Sequence, residues 1–429
     1  MSNIAKLAQK LKTLDEKIVK CMRCGTCQSV CPVFAQTLTE GDVTRGKLAL
    51  LSNLSQQILT DANGVRNRLE RCLLCGSCQS ACPSGVSILE IFMEARAICT
   101  EYLGLHPIKK IVFRQLLCRP NLFSALMRFA PLSKLVMSSD KNAQKTVCSP
   151  LIKLAMGERH VPEIPSKTFS QKYGNVSIPA KDGMPTILFF SGCMGDKIYV
   201  STTQACLKIF KHFGVGVEIP ANMSCCGIPA LASGDVESFT TMLKQNADIL
   251  RHKKFDYIVS ACASCTETIR DFWRKHSPSN LREEIESISA KAIDISDFLV
   301  NVLKVDLKPI ATSEGKIKIT YHDSCHLRKS LGIWKEPRAL LKSNGRYEFV
   351  EMKNSDGCCG CGGSFTLTHY DLSKKIGEKK CDSILDSKAS VVVAGCPACM
   401  MQMSNSLALR GKSVAVKHVA EIYAETLKD

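Results

Sequence analysis

The sequence predicts a multidomain protein: an all-α N-terminal domain followed by two tandem α/β domains with parallel sheets. Three observations predict this. A twelve-residue cysteine motif occurs twice within the first 83 residues, at an offset of 51. A set of five cysteines occurs twice in the C-terminal half, at offsets of 132 to 134. Between the early cysteines the apolar residues recur with a helical period, whereas the later ones sit at the ends of β-rich runs. The expected divisions are 1–104, a connector over 105–184, and two domains over 185–305 and 306–429.

Composition limits what the thiols can be. The chain has 429 residues, 45% of them hydrophobic, which is ample for packed cores, and 24 cysteines. Disulfide scaffolds of that density are short and secreted, and "MSNIAKLAQKLKTLDEKIVK" has no apolar run ending in a small-residue cleavage site. A reduced, cytoplasmic protein is therefore expected, in which clustered cysteines mean metal or redox chemistry. No run of about 18 apolar residues is present, so membrane contact is expected only at the inner face of the cell membrane or through a partner. The formal charge of +17 suits an acidic partner or anionic headgroups. Nucleic acid is disfavoured, because aromatic residues make up 6% and no binding module is recognisable.

In the N-terminal domain, "CMRCGTCQSVCP" (21–32) and "CLLCGSCQSACP" (72–83) are identical at eight of twelve positions. The spacing Cys-x2-Cys-x2-Cys-x3-Cys-Pro is that of two-cluster ferredoxins, in which three thiolates hold one 4Fe-4S cubane and the fourth crosses to the other. The expected sets are Cys21, Cys24, Cys27 and Cys82 for one cluster, and Cys72, Cys75, Cys78 and Cys31 for the other. Gly25 and Gly76 relieve crowding in the turns, and Pro32 and Pro83 redirect the chain. A pair of zinc knuckles is the alternative, but zinc has no use for a shared eight-ligand pattern. Helical stretches such as "GKLALLSNLSQQIL" lie between the motifs.

The connector begins with "LHPIKKIVFRQLLCRPNLFSALMRFAPLSKLVM" (105–137), apolar residues mixed with Lys and Arg and broken by Pro107, Pro120 and Pro131. It reads as short helical pieces covering the first domain, with a membrane-surface or partner contact as the alternative. The stretch to about 184 is polar and reads as a linker.

The C-terminal sets are Cys193, Cys225, Cys226, Cys262 and Cys265, then Cys325, Cys358, Cys359, Cys396 and Cys399. "TILFFSGC", "KIKITYHDSC", "FDYIVSAC" and "ASVVVAGC" are apolar runs that end at a cysteine. Helical stretches such as "TTQACLKIFKHFG" alternate with them, which implies βα units, and ligands gather beyond the C-terminal ends of parallel strands. Five thiols converging on such a crevice make a metal site.

The pattern Cys-x31-Cys-Cys-Gly-x34-Cys-x2-Cys, with its near-copy Cys-x32-Cys-Cys-Gly-x35-Cys-x2-Cys, resembles the cysteine-rich CCG domain. That domain occurs in heterodisulfide reductase, anaerobic glycerol-3-phosphate dehydrogenase small subunits and glycolate or D-lactate oxidase iron-sulfur subunits. The N-terminal domain resembles the helical ferredoxin domain of respiratory dehydrogenase subunits. "TRGKLALL" (44–51), "LERCLLCGSCQSACPSGV" (69–86) and "CGGSFTLTHYDLS" (361–373) resemble the glycolate oxidase iron-sulfur subunit most closely. In heterodisulfide reductase relatives each complete CCG set holds a noncubane cluster, so the resemblance implies up to two further clusters here, with a quinone-side or structural role for the sets left open.

No phosphate-cradling or flavin-binding motif is present, and hydride removal from a 2-hydroxy acid needs a flavin or nicotinamide. The resemblance therefore implies an iron-sulfur electron-transfer subunit working with a separate FAD subunit of a glycolate or D-lactate dehydrogenase, and passing electrons to a quinone or another acceptor. Two alternatives stand beside it: catalytic disulfide reduction of the heterodisulfide reductase kind, and the glycerol-3-phosphate dehydrogenase small subunit. His322, His326 and His369 are expected as hydrogen bonders or core residues. Cys99, Cys118, Cys148, Cys206, Cys361 and Cys381 are expected to pack as small hydrophobes, Cys361 because it aligns with Ile228.

Overall fold

The structure is a computed structural model that describes residues 3–128, 138–139, 146–148, 158–309 and 316–427. The chain forms two compact units. One consists of the residues up to Phe113 together with Ile228–Phe239 and Cys358–Glu378, and the other takes the rest.

The first unit is helical. Helices α1 (Asn3–Leu11), α2 (Thr44–Ser55), α3 (Ala62–Glu70) and α4 (Ile88–Leu103) pack on one another. Their apolar stripes bury Leu7, Leu11, Leu48, Leu51, Val65, Leu69, Ile91 and Phe92. Asp61 starts α3 by accepting from Gly64 N at 2.8 Å, which satisfies one of the free amides of the first turn. The late segments are built in by polar and apolar contacts. Arg96 Nη1 of α4 donates to Ala232 O at 2.6 Å, Thr100 Oγ1 donates to Ser233 O at 3.2 Å, and Ser233 and Ser364 share a hydroxyl bond of 3.1 Å. Val33 and Leu73 close a small apolar cluster with Phe365 and Ile376, and Cys31, Cys75 and Cys358 pack against it.

The second unit carries the predicted duplication in its topology. Strands β1 (Val176–Ile178), β2 (Thr186–Phe189), β3 (Gly216–Ile219), β4 (Tyr257–Ser260) and β5 (Ala292–Asp294) form a sheet in the order β1-β3-β2-β4-β5. Strands β6 (Ile317–His322), β7 (Tyr347–Phe349), β8 (Val391–Ala394) and β9 (Ala415–His418) form a second sheet in the order β7-β6-β8-β9. Within these two sheets all pairings are parallel except β1 with β3, and the short strands Ser138–Ser139, Thr146–Cys148 and Val161–Pro162 form a separate antiparallel sheet. Leu188 faces Ile258 in one sheet as Thr320 faces Val392 in the other, so the registers repeat as well.

The two sheets share one apolar core, in which Phe189, Phe210, Val259 and Phe298 meet Ile319, Tyr321, Val393 and Ile422. Phe189 and Phe210 pack edge to face at 5.4 Å. The segment before β2 forms the short helices Pro107–Ile111 and Pro120–Met127, which start at the prolines, with a π turn over Val112–Leu117 between them; it also supplies the edge strand β1. Pro131 lies outside the described residues. Among the described residues no helix is long and apolar enough to cross a membrane.

Candidate metal centres

The two N-terminal motifs fold alike, residue for residue. Arg23 and Leu74 take left-handed backbone angles (φ 57° and 52°), then Gly25 and Gly76 do the same (φ 86° and 70°). Each turn ends in a short helix, Thr26–Val30 or Ser77–Ser80. A glycine makes the second reversal free of Cβ strain, whereas Arg23 and Leu74 hold a conformation that costs a side-chain-bearing residue roughly 1–2 kcal/mol. Cys24 Sγ lies 3.3 Å from Thr26 Oγ1, and Cys75 Sγ 3.4 Å from Ser77 Oγ.

Cys31, Cys72, Cys75 and Cys78 line a single cavity of about 410 Å³, with Lys47, Asp42, Thr44, Ile88 and Phe92 around it. Three of these thiols come from the second motif and one from the first. Burial pushes Cys31 up to about 11, against a backbone hydrogen bond from Phe34, and burial also raises Cys78. Thiols held neutral in this way release protons when a metal binds them. In the other set Cys24 is exposed, Cys21, Cys27 and Cys82 are half-buried, and burial followed by the nearby Cys21 raises Cys27.

The charge around the two sets differs. Lys47, 2% exposed, donates Nζ to the carbonyl of Asp42 and faces Cys31 and Cys72. Arg96, also buried, donates Nη2 to the carbonyls of Leu69 and Cys72, each at 2.6 Å. The buried carboxylate of Asp42 is already engaged by Arg68 at 3.0 Å and Arg71 at 3.2 Å. Near the first set the cation is Arg45, partly exposed and paired with Glu40 at 2.8 Å. Sequence reading missed Lys47 and Arg96, because buried cations in helical stretches look like surface ones.

In the second unit the strands deliver the C-terminal thiols as expected. Strand β2 runs into Cys193, β4 into Cys262 and β8 into Cys396, while Cys265 and Cys399 follow on the helices Ala263–Glu267 and Pro397–Leu409. Cys193 and Cys225 Sγ are 3.6 Å apart. Hydrogen bonds with Cys193 and Cys226, and then burial, hold Cys225 well above an ordinary thiol; bonds with Cys226 and Cys262, and then burial, do the same for Cys265.

The two sets also touch, which the spacing could not show. Ala263 N donates to Gly395 O at 3.1 Å, and Ser264 Oγ lies 3.6 Å from Cys396 Sγ. Hydrogen bonds from Cys262 and Cys399 hold Cys396 well below the usual thiol range. It caps a 13-residue helix, whose N-terminal amides favour a thiolate. Beside Cys193 and Cys225 opens a cleft of about 490 Å³ walled by Leu117, Phe123, Phe169 and Met223, with Lys197 on its side.

The three histidines go to different places. His326 Nδ1 pairs with Glu267, whose carboxyl is held low by that ring despite burial. His369 is held below the ordinary histidine range by burial and then by Arg71. His322 is fully buried on β6. Of the remaining cysteines, Cys99, Cys118, Cys206, Cys361 and Cys381 are buried and Cys148 is half-buried.

Comparison with known proteins follows the same division. The 4Fe-4S dicluster domain matches residues 17–86, and the cysteine-rich CCG domain matches 187–270 and 319–404. The probable glycolate oxidase iron-sulfur subunit of Bacillus subtilis is 28% identical over 425 residues, 96% of this chain and 95% of that protein. Lactate utilization protein A of an Exiguobacterium species is 32% identical over 246 residues, 57% of this chain and 99% of that protein. The chain belongs to the glycolate oxidase and lactate utilization family of iron-sulfur subunits. Similarity extends to a subunit of the fumarate reductase (CoM/CoB) of Methanothermobacter marburgensis, 24% identical over 96% of this chain and 74% of that protein.

The residues present fit the clusters the family implies. Four soft thiol donors around one pocket, with the buried cations Lys47 and Arg96 beside them, match a cluster whose four thiolates leave it about −2 in charge.

Proposed function

We propose that this iron-sulfur subunit carries electrons from a partner FAD subunit of a glycolate or D-lactate dehydrogenase to a quinone or another acceptor, on the cytoplasmic side of the membrane. Cys21, Cys24, Cys27 and Cys82 would hold one 4Fe-4S cluster, and Cys72, Cys75, Cys78 and Cys31 the other. The five-cysteine sets starting at Cys193 and Cys325 would hold one further cluster each, noncubane in type. Such clusters accept and release single electrons, which is what a flavin that has taken two electrons from its substrate requires.

The cavity shared by Cys31, Cys72, Cys75 and Cys78 carries this reading, because a crossing fourth ligand belongs to the two-cluster ferredoxin pattern and to no zinc site. The way onward is supported by Cys31 and Cys75 packing on the same small apolar cluster as Cys358, a member of the last set. Buried apolar surroundings keep such steps dry and short.

The test is anaerobic purification of the native complex, identification of its partners and an iron count. About sixteen irons per chain are expected if all four sets are filled, about eight if only the first two are. A complex without a flavoprotein, or one that reduces no quinone analogue or dye when given a 2-hydroxy acid, refutes the reading. A second reading, thiol-disulfide chemistry at the C-terminal sets, is favoured by the contact of Cys262 with Cys396 and by the low-lying thiol of Cys396. Disulfide turnover by the purified chain would decide for it.

A further inference from the structure

The duplicated domains invite comparison position by position, and one difference falls at the metal-binding end. Cys193 and Cys325 occupy equivalent places, so His322 stands where the first domain has Phe190. The strand registers agree, since Phe189 pairs with Val259 in β4 as Tyr321 pairs with Val393 in β8.

In the first domain the position is apolar. Phe190 packs edge to face on Trp273 at 6.2 Å, and a Cβ added at Gly192 would meet both the Phe190 ring and Cys265 Sγ. In the second domain the residue equivalent to Cys265 is Cys399, and a ligand atom of His322 lies within 4.8 Å of its thiol. That separation suits two donors on one metal centre.

His322 is wholly buried, and among the described residues neither ring nitrogen has a hydrogen-bond partner. Its neighbour Asp323 is not available to it, since that carboxylate is taken by Arg338 at 2.8 Å, Arg328 at 2.6 Å and Ser355 at 3.0 Å. The hydroxyls of Tyr321 and Ser324 are buried without partners in the same stretch. Buried polar groups in a folded protein are normally satisfied, and several orphans together mark a place where a bonding group belongs. A neutral imidazole keeps a lone pair on one nitrogen, and imidazole is a good donor to iron.

We propose that His322 supplies a nitrogen donor to the iron-sulfur site of the second cysteine-rich domain, a site that the first domain builds from thiols alone. The inference rests on the reading that this domain holds a cluster. An imidazole nitrogen beside the thiolates changes the ligand set of one site only, and cluster potentials depend on ligand type and surroundings, so the two C-terminal sites, alike in their cysteines, would differ in their readiness to accept an electron.

The test uses the full chain, purified anaerobically from cells supplied with ¹⁵N-histidine, and pulsed EPR of the paramagnetic state that disappears in Cys399→Ser. A histidine nitrogen coupling is expected in the wild-type chain and is lost in His322→Phe, which copies the residue of the first domain. A Cys399-dependent signal without histidine coupling, or the same coupling in His322→Phe, overturns the inference while leaving the cluster reading intact. Iron of only about eight per chain, with no Cys399-dependent signal, fails both together. The wild-type measurement stands even if a variant does not fold.

Discussion

Lys47→Met removes one buried positive charge from the wall of the second N-terminal cavity and leaves the four thiols in place. The size of the effect follows from the geometry. Lys47 lines the same pocket as the four thiols, which puts its charge about 6 Å from the middle of a cluster held among them. With an effective dielectric constant of about 20, a unit charge at that distance stabilises an added electron by about 2.8 kcal/mol. That is a factor of about 100 in the reduction equilibrium, or about 120 mV for a one-electron couple. Lys47 is 2% exposed, so solvent screens little of this, whereas the Asp42 carboxylate nearby offsets part. A fall of about 60 to 120 mV in the midpoint of one of the two N-terminal clusters is therefore expected, with iron content unchanged and Lys47→Arg close to wild type. An EPR-monitored redox titration of the anaerobic chain reads it. If Lys47→Met keeps its iron and both midpoints stay within about 20 mV of wild type, the assignment of Lys47 as an electrostatic tuner is wrong.

Three further outcomes are expected. Cys361→Ser leaves the iron content unchanged, while Cys359→Ser lowers it, by about four atoms per chain if a whole cluster is lost; iron analysis of the two variants side by side checks this. Gly362→Ala destabilises the chain by about 1–3 kcal/mol in denaturant unfolding, because φ there is +54° and a Cβ would come within 2.5 Å of Leu73 Cδ2. Gly363→Ala, with φ +58° and nothing within 4 Å, should lose only the backbone part, about 1 kcal/mol. Asp294 is pushed up to about 7 by burial, against hydrogen bonds from Ser296, so between about pH 4 and 7 the folded chain holds a proton that the unfolded chain has released. Stability then falls as pH rises through that window, by at most about 1.4 kcal/mol per unit from this group, and Asp294→Asn flattens the slope.

How much of this was legible beforehand differs by level. Cysteine spacing is a short-range signal, and it led directly to the four thiols of the shared cavity, since three of them lie within seven residues. The tandem α/β pattern was equally plain, because in each copy two β-rich runs lead to a cysteine and helical stretches alternate with them. The antiparallel edge strand over Val176–Ile178 was not legible: Ser177 is exposed, its two neighbours are half-buried, and the strand sits in a polar stretch that reads as a linker. Nor were Lys47 and Arg96, since helical periodicity does not distinguish a cation facing solvent from one facing a thiolate. The contact of Cys262 with Cys396 depends on how two sheets share a core, and no local pattern encodes that.

Arg96 and Leu73 have a consequence for how the protein is made. The helical unit that carries the N-terminal motifs is completed by Ala232, Ser364 and Phe365, which are synthesised well over a hundred residues after Cys82. At the ribosome, then, both cysteine motifs emerge long before the segments that complete their unit. A fragment ending at residue 104 would lack the carbonyl of Ala232 for Arg96 Nη1 and the apolar cover over Leu73, leaving one of the three hydrogen bonds of that guanidinium unmade and the second turn open to water. Efforts to isolate the ferredoxin-like part alone should keep residues 228–239 and 358–378 in it.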